Sequence, residues 1–223
     1  MIIKLYTEYE DPQGMKISYQ FKDVVTQTNV ATATDYFNEA TSLYFNDEKF
    51  EFLNYPKIIT RPQINYRYPL SKSKKNVGFH ITKNQEPVVS FFTESATCGK
   101  RWIFNQNILF TVYVKNEKPY LLFRVGFKNQ NSHYYCLYDN SEKCIAIIER
   151  HSFYDDNCKA TLYIENEENL LITLMACTDR IISVANSGSS DDMMDSSAGN
   201  YISLLAAEKE MFDKNFLERV KNQ

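Results

Sequence analysis

The residues of this chain best suited to chemistry are cations. Between Glu51 and Glu86 there is no Asp or Glu, yet Lys57, Arg61, Arg67, Lys72, Lys74, Lys75 and Lys83 all fall there. The whole chain has a formal net charge of −3, so these seven cations leave −10 on the remainder. Tyr55, Tyr66, Tyr68 and Phe79 are interleaved with them. Cations mixed with aromatics suit an anionic lipid headgroup, an acidic protein surface or a nucleic-acid backbone. The overall acidity weighs against nucleic acid as the partner. The competing reading is a solvated face whose charges are matched by acids from elsewhere in the fold.

His133, Cys136, Cys144 and His151 carry nitrogen and sulfur donors of the kind zinc takes. On a strand, however, His133 and Cys136 are separated by an odd number and point to opposite faces. Packed side chains are therefore expected there, with no metal and no cofactor. Cys136 and Cys144 flank one turn and could meet across a hairpin. Five cysteines without a compact framework fit a reducing compartment, where a disulfide is not expected. A cysteine nucleophile needs a His and a third orienting group, and no local signature marks one here. Asp179 and Arg180 sit inside an apolar run. Either they form a buried pair tying a helix end to its surroundings, or they mark where the helix emerges into water. Their place near the end of a helix starting around Glu168 favours the second reading. Glu167 and Glu168 suit the positive end of its dipole.

That apolar run, residues 170–185, has eleven apolar residues of sixteen, spread over every side of a helical projection. Such a helix must be surrounded by protein. It is shorter than the ~20 residues needed to cross a bilayer and contains two charges. Upstream lie the elements of a container. Alternating segments at 77–82, 87–93, 100–104, 108–114, 120–127, 133–138, 144–150 and 159–164 are separated by turn clusters such as KNEKP and DNSE. This spacing predicts an antiparallel up-and-down meander. Leu121, Phe123, Val125 and Phe127 share one face of their strand, while 144–148 is apolar on both faces and should be covered on both sides. Nearer the N-terminus, 2–9 and 15–22 read as strands joined by the type I turn DPQG. Thr34 is expected to cap a short helix carrying Tyr36, Phe37, Ala40, Leu43 and Tyr44, and 49–53 returns to strand. Sixteen Tyr and fifteen Phe against six Gly indicate a globular chain. The N-terminal MIIKLYTEYED has no secretory apolar core, so a cytoplasmic location is expected.

The segment YCLYDNSEKCIAIIERHSFYDDNCKATLYIENEENLLITLMACTDRI, residues 135–181, resembles the tubby C-terminal-like superfamily, which includes tubby domains, phospholipid scramblases and LURP-one-related proteins. The likeness lies in the order of parts: a strand ending at Tyr138-Asp139, a turn, strands at 146–150 and 161–164, and a hydrophobic helix ending near Asp179-Arg180-Ile181. It implies a mainly β fold, a closed and roughly twelve-stranded antiparallel barrel around a central hydrophobic helix. On this reading the barrel spans 1–185 with its helix at about 168–185. A flexible linker follows at 186–200, then an amphipathic C-terminal helix at 201–223 that either docks on its own barrel or serves a partner. The resemblance implies binding of anionic lipid, as tubby domains bind phosphoinositides through basic residues, without assigning any residue here to that role. Together with the charge pattern, the expectation is a non-enzymatic binding domain for an anionic phospholipid headgroup or an acidic protein partner, cytoplasmic and peripheral to the membrane, with the seven cations, read from the charge pattern alone, as its contact residues. The alternatives are a toxin-neutralising or other protein-interaction protein, or an uncharacterised enzyme.

Overall fold

The computed structural model of this chain describes residues 1–10, 12–13, 16–36, 40–53, 55–60, 62–64, 75–98, 106–126, 133–151, 157–183, 212–213 and 215–222. Among them are thirteen strands: β1 (Ile2–Glu10), β2 (Lys16–Asp23), β3 (Asn29–Tyr36), β4 (Thr41–Phe45), β5 (Glu48–Phe52), β6 (Lys57–Thr60), β7 (Lys75–Lys83), β8 (Glu86–Cys98), β9 (Gln106–Lys115), β10 (Lys118–Gly126), β11 (His133–Tyr138), β12 (Cys144–Arg150) and β13 (Cys158–Ile164). From β1 to β5 and from β7 to β13 each strand pairs antiparallel with the next. β1 closes on β13 and β5 closes on β7. The result is a closed twelve-stranded barrel with β6 as one extra strand.

Local sequence decides which end of the barrel is tight. Asn46-Asp47, Asn84-Gln85 and Asn116-Glu117 all have positive φ, between 49° and 68°. Each pair joins two strands whose flanking residues are register partners, Phe45 with Glu48, Lys83 with Glu86 and Lys115 with Lys118. Positive φ at both positions of a two-residue loop is the turn that matches strand twist, and Asn tolerates it best among residues with a side chain. The five-residue connections 24–28 and 139–143 turn at this same end.

Strand alternation sorts side chains into two cores. Ile3, Leu5, Tyr19, Phe21, Leu43, Phe50, Phe52, Ile81, Leu122, Leu137, Ile148 and Leu162 line the barrel interior. A barrel of about eight strands is filled by its own side chains, and the diameter grows with strand number. Twelve strands leave room for a helix about 10 Å across. That space holds a 3₁₀ turn (Glu167–Asn169), α1 (Leu170–Cys177) and a π-helical turn (Thr178–Ser183). Ile172, Leu174, Met175, Ala176 and Cys177 are all buried, and Thr173 donates its hydroxyl to the Asn169 carbonyl at 2.7 Å. The helix therefore meets wall on every side, as its all-round apolarity requires.

The second core lies outside the wall. Phe92, Val112, Leu121, Phe123, Val125, Cys136, Tyr138, Cys144, Ile147 and Tyr163 face outward, yet they are buried. Phe216 and Val220 of a short C-terminal helix, α2 (Phe216–Lys221), cover them, with Ile59 of β6 alongside. This explains why β12 reads as apolar on both faces. Burying an aromatic such as Phe216 is worth about 1.5–3 kcal/mol, so α2 completes the fold of its own chain.

The helix predicted at 34–44 does not form: β3 runs to Tyr36 and β4 begins at Thr41. Ala31, Ala33 and Asp35 alternate into the interior, and the β2 ladder holds Val30, Thr32 and Thr34 in strand geometry, which their β-branched side chains favour. Asp179 and Arg180 do not mark an exit into water. Their side chains are 7% and 18% exposed, with Arg180 Nε 2.9 Å from Asp179 Oδ2. Tyr113 of β9 donates its hydroxyl to the same carboxylate oxygen at 2.5 Å. The wall supplies the partners that make a buried charge tolerable, so the helix end can stay inside. The strand expected at 100–104, the linker at 186–200 and the first half of the helix expected at 201–223 lie outside the described residues.

Candidate functional site

β6 and the start of β7 form an antiparallel ribbon on the outside of the barrel. Lys57 stands opposite Gly78, Ile58 opposite Val77, Ile59 opposite Asn76 and Thr60 opposite Lys75. Alternation along the sequence KIIT turns one isoleucine each way. Ile59 is buried on Phe92 in the outer core, whereas Ile58 is 74% exposed. Gly78 permits this close seating. A Cβ there would lie 2.4 Å from the Phe91 carbonyl oxygen and 2.4 Å from Ile59 Cδ1, which backbone cannot accommodate without moving.

Three of the seven cations, Lys57, Lys75 and Lys83, fall among the described residues. Lys57 is exposed at one end of β6, its ammonium 5.2 Å from the centre of the Tyr55 ring. Lys75 opens β7 opposite Thr60, so the connection 61–74 leaves and returns at the same place. Arg61, Arg67, Lys72 and Lys74 belong to that connection and lie outside the described residues. Lys83 stands apart. It ends β7 roughly 16 Å along the strand from Gly78, and its ammonium pairs with Glu48 at 2.5 Å. The Lys57 charge is felt locally: His80, hydrogen-bonded to Ser90 at 2.8 Å, is held below its ordinary pKa first by burial and then by Lys57. The exposed apolar pair Ile58 and Val77 escaped the sequence reading. Two-residue alternation within KIIT is the signal that finds Ile58, once the strand is known to have a covered face.

Other chemically capable groups serve the scaffold. The Asp179, Arg180 and Tyr113 set ties the helix to β9. A cleft of about 530 Å³ opens at the tight-turn end, with Glu48, Lys83, Lys115 and Glu117 among its polar lining and Phe50, Val89, Leu171 and Met175 among its apolar lining. Its lining contains neither His nor Cys. Cys136 and Cys144 are free thiols in the outer core, and His151 hydrogen-bonds to Thr161 at 2.8 Å. Among the described residues no helix is long and apolar enough to cross a membrane.

The buried thiols and phenols hold their protons tightly. Burial, with Asp213 adding to it, pushes the Cys144 thiol up to about 12. Burial and then Glu149 push Tyr134 up to about 12. Burial moves Cys136, Cys177 and Tyr113 the same way. Such thiols are poor nucleophiles near neutrality. Because the native state keeps protons that the unfolded chain releases, this stability is complete below the unfolded-state values of about 9 to 10 and is lost as pH climbs toward the folded-state values. Thermal unfolding followed by circular dichroism should show Tm falling above about pH 9 and faster above about pH 10. A Tm that stays level up to about pH 11 would contradict the burial of these groups.

Compared with protein-family models, curated proteins and solved structures, the chain matches none.

Proposed function

We propose that this chain is a non-enzymatic binding domain on a tubby-like plan, acting in the cytoplasm and peripherally at a membrane, whose acid-free segment engages an anionic surface. The observation that carries this reading is the pairing of Thr60 with Lys75. It brings together the two ends of a segment in which Lys57, Arg61, Arg67, Lys72, Lys74 and Lys75 have no acidic residue among them. Lys57 and Lys75 thus stand on one ribbon, at its opposite ends, and Arg61, Arg67, Lys72 and Lys74 fall in the sequence that joins its two strands. His80 is held below its ordinary pKa first by burial, and the Lys57 charge adds to that. The barrel and its central helix act as the rigid support, which is how loops that carry binding residues are commonly held.

Each Lys or Arg near an anionic bilayer contributes about 1 kcal/mol, and the attraction fades as salt shortens the Debye length. The full-length chain should therefore sediment at low salt with vesicles containing phosphatidylserine. The triple variant Lys72→Glu, Lys74→Glu, Lys75→Glu should lose this binding while keeping the wild-type Tm. A soluble acidic polypeptide and single-stranded nucleic acid, run in parallel, report on non-lipid anions. If the wild type binds none of these at low salt, the reading is wrong.

A further inference from the structure

The cleft at the tight-turn mouth of the barrel shares no residue with the β6–β7 ribbon. It opens where the barrel closes most weakly. The ladder between β5 and β7 has two pairs, Glu51 with Thr82 and Phe52 with Ile81. Closer to the turns, the ion pair of Lys83 with Glu48 spans the seam. The cleft beside it measures about 530 Å³, inside the range of roughly 300–1,000 Å³ that small-molecule sites occupy. The central helix supplies its floor. Leu171 and Met175 lie one turn apart on α1 and both line the cleft, Leu171 half-buried and Met175 fully buried behind it. Phe50 and Val89 of the wall line it too, and with Met175 they belong to the interior core. The apolar part of an occupant would therefore extend that core.

The polar groups around the cleft set the chemistry of that occupant. Tyr113 of β9 belongs to the interior core, and alternation turns Lys115 to the same side, over the cleft. Lys115 is half-buried and forms no ion pair among the described residues. Its partner across the hairpin is a second cation, Lys118. Lys83, by contrast, already has Glu48. We propose that the cleft binds a small apolar molecule carrying one carboxylate, which the Lys115 ammonium receives while the apolar part lies against Leu171. A lysine is a single point charge, and Glu48 and Glu117 line the same cleft. A doubly charged anion such as a phosphate monoester would meet both carboxylates with one cation to offset them. A cationic ligand finds little there, because Glu48 is paired and Glu117 is exposed on its loop, where an ion pair contributes little. The site does not depend on the anionic-surface reading and adds a small-molecule ligand to it.

Straight-chain alkanoates from hexanoate to decanoate, titrated below their micelle concentrations into the full-length chain and followed by calorimetry, should bind one per chain. Each added methylene should tighten binding roughly fourfold for as long as it finds apolar surface. Lys115→Gln should weaken octanoate by roughly tenfold and leave the binding of octanol, which has no charge, unchanged. Lys118→Gln, outside the lining, should alter neither. Leu171→Trp fills the cleft and should abolish binding of both molecules in a chain that keeps the wild-type Tm. Absence of alkanoate binding by the wild type, or an affinity independent of chain length, overturns the proposal. So does an equal loss of octanoate in the Lys115 and Lys118 variants, which would reduce the effect to general charge. Octanoate binding that survives Leu171→Trp at wild-type Tm also overturns it, because the ligand would then sit elsewhere.

Discussion

Replacing Leu174 by Asp is expected to abolish folding. Leu174 is fully buried at the middle of α1, inside the barrel, with Ile172, Met175 and Ala176 of the same helix equally enclosed. A carboxylate there has no counter-ion among the interior side chains of its cluster. It must either remain charged in an apolar medium or take up a proton and still lack hydrogen-bond partners. Either course costs several kcal/mol, set against a total domain stability of about 5–15 kcal/mol. The variant should be insoluble or should lack a cooperative thermal transition. Leu174→Met, which keeps the volume, should cost less than about 1.5 kcal/mol and serves as the control. A Leu174→Asp chain that melts at the wild-type temperature would show that this helix is not enclosed by the barrel.

Removing the carboxylate of Asp179 should have the second largest effect. Asp179 accepts from Tyr113 at 2.5 Å and lies 2.9 Å from Arg180 Nε, and neither side chain of the ion pair is more than 18% exposed. In Asp179→Ala the guanidinium is left buried without its partner and the Tyr113 hydroxyl loses its acceptor. Breaking a buried pair from one side typically costs about 3–5 kcal/mol. The double variant Asp179→Leu, Arg180→Met should recover much of that loss, because apolar replacement of both partners is often close to neutral. Chemical denaturation of wild type, both single variants and the double variant forms a closed cycle that isolates the coupling. Additive losses in that cycle would mean that the two charges do not act on each other.

Much of the architecture was open to reading before any coordinates. Seven of the eight strands expected between 77 and 164 are present, the one at 100–104 lying outside the described residues; they could be read because apolar and polar residues alternate along them, as in Tyr120 to Gly126. Of the two-residue loops with Asn at the first position, Asn116-Glu117 stood out through the cluster KNEKP, whereas Asn46-Asp47 and Asn84-Gln85 did not. What misled was always a property supplied by distant residues. The stretch 34–44 has apolar residues at helical spacing, yet the β2 ladder outweighs that local pattern. The pair Asp179-Arg180 looked like a helix end in water because Tyr113, sixty-six positions away, is invisible in the local sequence.

The same division runs through the candidate site. That a segment between Glu51 and Glu86 is purely cationic follows from residue identity alone, and so does the all-round apolarity that obliges 170–177 to lie inside a container. Only the tertiary structure could decide which cations keep company and which apolar residues are left uncovered. Lys83 is set apart because β7 carries it to the far end, beside Glu48. Ile58 and Ile59 are identical side chains in adjacent positions, one exposed and one buried, because the wall of β8 lies on one side of the ribbon only. Charge and hydropathy belong to each residue and can be read along the chain, whereas exposure and pairing belong to the fold, since they depend on contacts that the chain makes with itself across long separations.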